Sequence, residues 1–110
     1  MSYMNTDIIT LNEVGNDGKT IHLYYNASVG FYVAYGYSAF FVTHFASPPC
    51  SFSDELLMPV ALLRRSEVAA LRGAADGPSG DYADYLRFVM QTEIPRDGYA
   101  AWVEKVKIPG

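Results

Sequence analysis

Few side chains in this sequence are equipped for acid–base, nucleophilic or metal chemistry. There are two histidines, His22 and His44, and one cysteine, Cys50. A structural zinc site needs about four converging N or S ligands, and this inventory supplies too few of them in a usable spacing. A thiolate–imidazole pair between Cys50 and His44 has the right residue types but no supporting local pattern, and Cys50 follows Pro48-Pro49 in what reads as a loop. The carboxylates make no catalytic pair. Asp54-Glu55 and Asp81 with Asp84 read as helix starts, where negative charge is favourable. Gly15-Asn16-Asp17-Gly18-Lys19 lacks the spacing of a phosphate loop and leads into a strand. The reading therefore favours a non-enzymatic protein with no metal and no cofactor.

The residue type in surplus is tyrosine, with nine in 110 residues. Five of them, Tyr24, Tyr25, Tyr32, Tyr35 and Tyr37, fall in residues 20–53, which contain no Asp, Glu, Lys or Arg. About twenty apolar residues would suffice to span a bilayer. This segment instead interleaves its tyrosines with Gly30, Gly36, Ser28, Ser38 and His44 and has no flanking Lys/Arg cluster, so no membrane span is expected. Tyr, Phe and Val favour strands.

Those residues must be positioned by a sheet. The patterning predicts strands over Asp7–Val14, Lys19–Asn26 and Phe31–His44, the last bent near Gly36. Gly15–Gly18 and Ala27–Gly30 are the turns of a meander. Ser53 caps a single helical turn over Asp54–Leu57, and Val60–Leu63 is a short strand. Three helical segments follow. One runs from Ser66 to Arg72 and a second from Asp81 to about Gln91, on the stripe Tyr82, Tyr85, Leu86, Val89 and Met90. The last starts at Asp97 and carries Tyr99, Trp102, Val103 and Val106. The fold class is α+β in a single domain, residues 1–110: a three- to four-stranded antiparallel meander sheet packed with two to three C-terminal helices.

Pairing Tyr25 with Tyr32, Leu23 with Ala34 and Ile21 with Gly36 makes both faces of that sheet apolar. One face, with Ile21, Leu23, Ala34 and Phe40, is assigned to the core. The other, with Ile9, Leu11, His22, Tyr24, Phe31, Val33, Tyr35 and Tyr37, is richer in ring hydroxyls, and exposed apolar faces mark binding surfaces. His22, Tyr24, Phe31, Val33, Tyr35 and Tyr37 are accordingly the candidate binding residues. The expected partner is a second copy of the chain, or another protein; the alternative is that the protein's own helices cover this face too.

Composition sets the remaining bounds. Half the residues are hydrophobic and 18% are charged, which supports a packed core over disorder. The formal charge of −4 resides in residues 1–60, where Lys19 stands against Asp7, Glu13, Asp17, Asp54 and Glu55. An acidic chain without a basic stripe is poorly suited to nucleic acid. Residues 62–71 resemble, over ten residues, the first helix of excisionase-type helix-turn-helix domains. The helix that would then read DNA begins Asp81-Tyr82-Ala83-Asp84, acidic where DNA is acidic. A DNA-binding regulator using residues 64–96 thus stands as an alternative, beside a small-molecule binder or enzyme with a pocket among Tyr24, Tyr35, Tyr37 and His22. The lone cysteine, and an N-terminus without the pattern of a secretion signal, point to the cytoplasm.

Overall fold

The segment expected to be the first strand is a helix. In the structure, a computed structural model describing residues 6–26, 28, 30–75, 80–82, 85–91 and 93–107, α1 spans Thr6–Val14. Its apolar residues do not all face inward, so the spacing of Ile9 and Leu11 imitated the two-residue period of a strand. The Gly15–Gly18 turn survives, but it joins this helix to strand β1, Thr20–Asn26. Much of the turn is tied by side chains: the Asn16 Oδ1 accepts the Gly18 N–H at 2.8 Å, and the Asp17 Oδ1 accepts the N–H groups of Lys19 and Thr20 at 2.9 and 3.0 Å.

Strand β2, Phe31–Tyr35, pairs antiparallel with β1 in the expected register, Tyr25 opposite Tyr32. The long third strand does not continue to His44. Gly36, at φ +54°, turns the chain directly into helix α2, Gly36–Val42, without an intervening loop. Ser38, Ala39, Phe40, Phe41 and Val42 are all buried, as a helix that is apolar all round must be. Strand propensity in Tyr-Ser-Ala-Phe-Phe-Val is overridden by burial on every side.

The sheet then grows beyond the expected three or four strands. Strands β3, Cys50–Ser53, and β4, Met58–Leu63, form a hairpin that pairs with β2 through β4. Between them the Ser53 Oγ accepts the Leu56 N–H at 3.1 Å, as a capping serine would. Helix α3, Arg65–Ala74, begins where Arg64 donates its N–H to the Glu67 Oε1 at 2.6 Å. The cap lies at Arg64 rather than Ser66.

The described residues of 81–91 form no helix. Gly80–Tyr82 and Tyr85–Val89 are strands β5 and β6 of a hairpin, with β6 running antiparallel to β1. The discriminating residues are Arg87 and Phe88. Leu86, Phe88 and Met90 are buried while Arg87 and Val89 are exposed, a period of two that the helical stripe of Tyr85, Leu86, Val89 and Met90 concealed. The result is a six-stranded antiparallel sheet in the order β3-β4-β2-β1-β6-β5. Helix α4, Tyr99–Lys107, ends the described chain. Among the described residues two of the four helices therefore precede residue 45, against the expectation that all would be C-terminal. The expected 27–30 turn and 74–80 loop lie partly outside the described residues.

The face assigned to the core is the core. Ile21, Leu23, Ala34, Ala61, Leu63, Leu86 and Phe88 point from the sheet into a cluster closed by Phe40 and Phe41 of α2 and by Val68 and Leu71 of α3. From α4, Tyr99 and Trp102 pack on Phe40 with ring centres at 5.6 and 5.3 Å. The C-terminal segment also reaches back to the first turn. The Ile94 N–H donates to Gly18 O and the Met90 N–H to Lys19 O, both at 2.7 Å, and the Arg96 Nη1 donates to Asn16 O at 3.3 Å. No helix among the described residues is long and apolar enough to cross a membrane.

Candidate functional site

On the second face of the sheet α1 packs over Tyr24, Val33 and Tyr35, and that helix is built inside out. A 3.6-residue period places Ile9, Asn12, Glu13 and Asn16 on one side of α1 and its exit, and Leu11 and Val14 on the other. The first side lies against the protein. Ile9 is fully buried against Tyr24, Val33 and Tyr35. The Asn12 Nδ2 donates to the Tyr24 Oη at 2.7 Å. Glu13 is only 2% exposed, and Asn16 is buried as well. The outward side carries Leu11 and Val14, at 72% and 74% exposure. An ordinary surface helix does the opposite.

Glu13 is held by the start of α2. Its Oε1 accepts the Ser38 N–H at 2.8 Å and its Oε2 accepts the Ser38 hydroxyl at 2.6 Å. The Ser38 Oγ in turn accepts the His22 N–H at 3.0 Å. The carboxyl thus caps α2 from another element, since Tyr35 at the cap position has no side chain for the task. Gly36 makes the approach possible: a Cβ there would stand 3.1 Å from the Glu13 Cβ, on a backbone already at positive φ. Burial pushes the Glu13 carboxyl up to about 7, and the hydrogen bonds from Ser38 and Asn16 only partly offset it.

The candidate binding residues are split by this arrangement. Tyr24 and Tyr35, 5% and 8% exposed, meet with ring centres 5.9 Å apart, and Val33 is buried with them. His22 stacks on Tyr85 at 5.9 Å, and its Nδ1 shares a 2.5 Å hydrogen bond with the Tyr85 hydroxyl. Burial first, and then the Arg87 charge, push the His22 ring down to about 4, so it is neutral near pH 7. Desolvation raises the Tyr24 and Tyr35 hydroxyls as well. Tyr24, Val33 and Tyr35 are thus packed together against Ile9 of α1, and His22 is buried beside them against Tyr85. Phe31 is half-buried at the end of β2. Tyr37 does not join them; it lies on the other side, stacked on Tyr99 at 4.2 Å with the Arg96 guanidinium over its ring at 5.7 Å.

The surface feature near these elements is a small cavity of about 80 Å³, lined by Glu13, Val14, Gly36, Tyr37, Met58 and Tyr99. Beside Met58 stands Leu57, at φ +56° and 75% exposed. A leucine in the left-handed region costs on the order of 1 kcal/mol, and glycine would occupy it without penalty. Sequence reasoning placed Leu11 on the sheet face and missed Glu13, Val14, Leu57 and Met58.

The other chemistry-bearing residues stay apart from this place. The His44 Nδ1 bonds its own helix at Phe40 O, and the partly buried Cys50 thiol is pushed up, away from thiolate. Among the described residues no group of three or more His, Cys, Asp or Glu is arranged to hold a metal ion. Among the described residues helix α3 is followed by the β5–β6 hairpin, and no second helix stands where a helix-turn-helix would need it. No protein-family model, no curated protein and no solved structure matches this chain.

Proposed function

We propose that the protein is a non-enzymatic interaction protein that pairs with a second copy of itself, through the outer side of α1 and the turn at 54–57. The carrying observation is a knob beside a hole. The exposed Leu57 directly precedes Met58, which lines a cavity the size of one side chain together with Val14 of α1, and the exposed Leu11 lies three residues before Val14 on the same helix. A two-fold axis would let each copy seat its leucine in the other's cavity, the reciprocal geometry of an isologous dimer. The tyrosine layer is then the support of this surface, not the surface itself.

Magnitudes favour a second copy despite the acidic Asp54 and Glu55 in the turn beside Leu57. Burying a leucine or valine contributes about 1.5–3 kcal/mol, and three per copy gives on the order of 10 kcal/mol, against an association cost of about 4–15 kcal/mol. Exposed like charges oppose this by no more than about 1 kcal/mol per pair, screened by salt. Such a dimer is weak to moderate, and added salt strengthens it. A ligand-binding or enzymatic reading fits less well. Small-molecule pockets are roughly 300–1,000 Å³, and both Glu13 oxygens already accept hydrogen bonds from Ser38.

Sedimentation equilibrium tests the proposal. The expected result is a monomer–dimer equilibrium that Leu57→Asp and Leu11→Asp each shift to monomer, with circular dichroism unchanged. A chain that is monomeric at high micromolar concentration, or a dimer indifferent to both substitutions, overturns it.

A further inference from the structure

We propose that the outer edge of β3 is a second self-pairing surface, on which β3 of another copy of this chain adds antiparallel across a two-fold axis. The inference goes beyond the Leu57 contact and uses none of its residues. Strand β3 ends the sheet order β3-β4-β2-β1-β6-β5, with Cys50 opposite Ala61 and Ser51 opposite Val60. In an antiparallel ladder, directly opposed residues bond to each other at every second pair. The Leu62 N–H donates to Pro49 O at 3.1 Å, and these two residues are the next pair along. The pairs bonded between the strands are therefore Pro49–Leu62, Ser51–Val60 and Ser53–Met58. Cys50 and Phe52 turn their N–H and C=O groups the other way, out of the sheet. Among the described residues no backbone group donates to or accepts from them.

Natural proteins ordinarily blunt such an edge with lysine, proline or a bulge, or cover it. Strand β3 is Cys-Ser-Phe-Ser, pairs with β4 one residue to one without a bulge, and has Cys50 and Ser51 exposed. Lys107 of α4 lies over the Phe52 ring at 5.0 Å, but alternation from the buried Ala61 puts that ring on the core face rather than along the edge. The occupant follows from how the outward groups are arranged. A two-fold axis at Ser51 sets Cys50 against Phe52 of the second copy, and Phe52 against its Cys50. Every outward N–H and C=O of both strands is then bonded, with Ser51 facing Ser51. The next outward position, Pro48, has no N–H, so the ladder stops there. Residues 20–53 carry no charge, so two copies of an acidic chain meet without like charges on the paired strands. A few backbone bonds repay only part of the cost of association, so this contact forms at higher protein concentration than the Leu57 contact. Where both form, two isologous surfaces on one chain join pairs into larger assemblies.

Disulfide trapping on the full chain tests the register. Ser51→Cys is made together with Cys50→Ser and Leu57→Asp, so that neither the native thiol nor the Leu57 contact takes part. Opposed residues of a non-hydrogen-bonded antiparallel pair have Cα atoms about 4.5 Å apart, within disulfide reach. With oxidised glutathione, a covalent dimer should form at least about tenfold faster than in a control with Ser66→Cys on exposed α3 instead. Replacing Cys50→Ser by Cys50→Pro removes one outward N–H and leaves the bonds to β4 alone. Bridging should then fall to the control rate, with circular dichroism unchanged. In the Leu57→Asp chain under reducing conditions, NMR should show the Cys50 and Phe52 amides gaining exchange protection as protein concentration rises. The Ser51 and Ser53 amides, bonded to β4, should be protected throughout. If Cys50→Pro does not fold, this amide pattern decides. Bridging at the control rate, bridging that a folded Cys50→Pro chain retains, or Cys50 and Phe52 amides indifferent to concentration, overturns the proposal.

Discussion

The two faces of the sheet are sealed by different means. Under α2, α3 and α4 the contact is apolar on both sides, with Phe41, Phe88, Leu63 and Leu71 fully buried. Under α1 the sheet offers Tyr24, Val33 and Tyr35, but the helix answers with Ile9, an asparagine and a carboxyl. The first seal is insensitive to solution conditions because burial of hydrocarbon does not titrate. The second depends on hydrogen bonds whose net contribution is about 1 kcal/mol each, two of them to a buried acid. One face is thus sealed by hydrocarbon, and the other, among the described side chains, by Ile9 and hydrogen bonds.

That contrast can be broken most strongly at its permanent side. Phe41→Ala should cost about 3–5 kcal/mol and unfold sheet and helices together in urea, because it empties the centre of the larger cluster. Tyr35→Glu belongs in the same range for a different reason, an unpaired charge buried beneath α1; retention of full stability would show that α1 does not cover it. Next comes pH. The Glu13 contribution is lost as pH rises from 4.5 to about 7, and the His22 contribution is lost as pH falls from 6.5 to about 4. The two oppose each other between 4.5 and 6.5, so urea midpoints should be nearly flat there and decline toward pH 7 and toward pH 4. In Glu13→Gln only the acid-side decline should remain.

Smaller effects sharpen the comparison. Gly36→Ala should cost about 1–3 kcal/mol, since it adds a Cβ at positive φ against Glu13; the loss should be seen first in α1 exchange. Leu57→Gly should stabilise the isolated chain by up to about 1 kcal/mol while weakening self-association. Both changes can be read from thermal midpoints of dilute samples and from sedimentation.

The fold class, the β1–β2 register, strand β4, the third and last helices and the core face were all legible in the sequence. Each rests on a local rule: alternation in Ile21 and Leu23, a cap near Ser66, a 3–4 stripe in Tyr99 and Trp102. The errors share one cause, in that apolar spacing did not match the direction of burial. Leu11 and Val14 are apolar and point outward, so α1 did not resemble a helix. Gly36–Val42 is apolar on every side, so α2 showed no period at all. Tyr85, Leu86, Val89 and Met90 satisfy a helical stripe and a strand alternation alike. Of the site, the aromatic layer was readable as a group of rings near one another. Its cover was not, because nothing in Glu13 itself reveals that it will be buried 25 residues upstream of the serine that holds it.

The backbone bonds from Ile94 and Met90 to Gly18 and Lys19 bear on the order of events during synthesis. The joint from which α1 departs is fixed by residues 90 and 94, made long after α1 itself. A nascent chain emerging from the ribosome carries its opening helix, with Leu11 and Val14 bare, long before its anchorage exists. Strand β6, the other flank of β1, is equally late. Native closure must therefore wait until residues 90–94 are made, and a truncation before Met90 should leave α1 unmoored even though every residue of that helix is present.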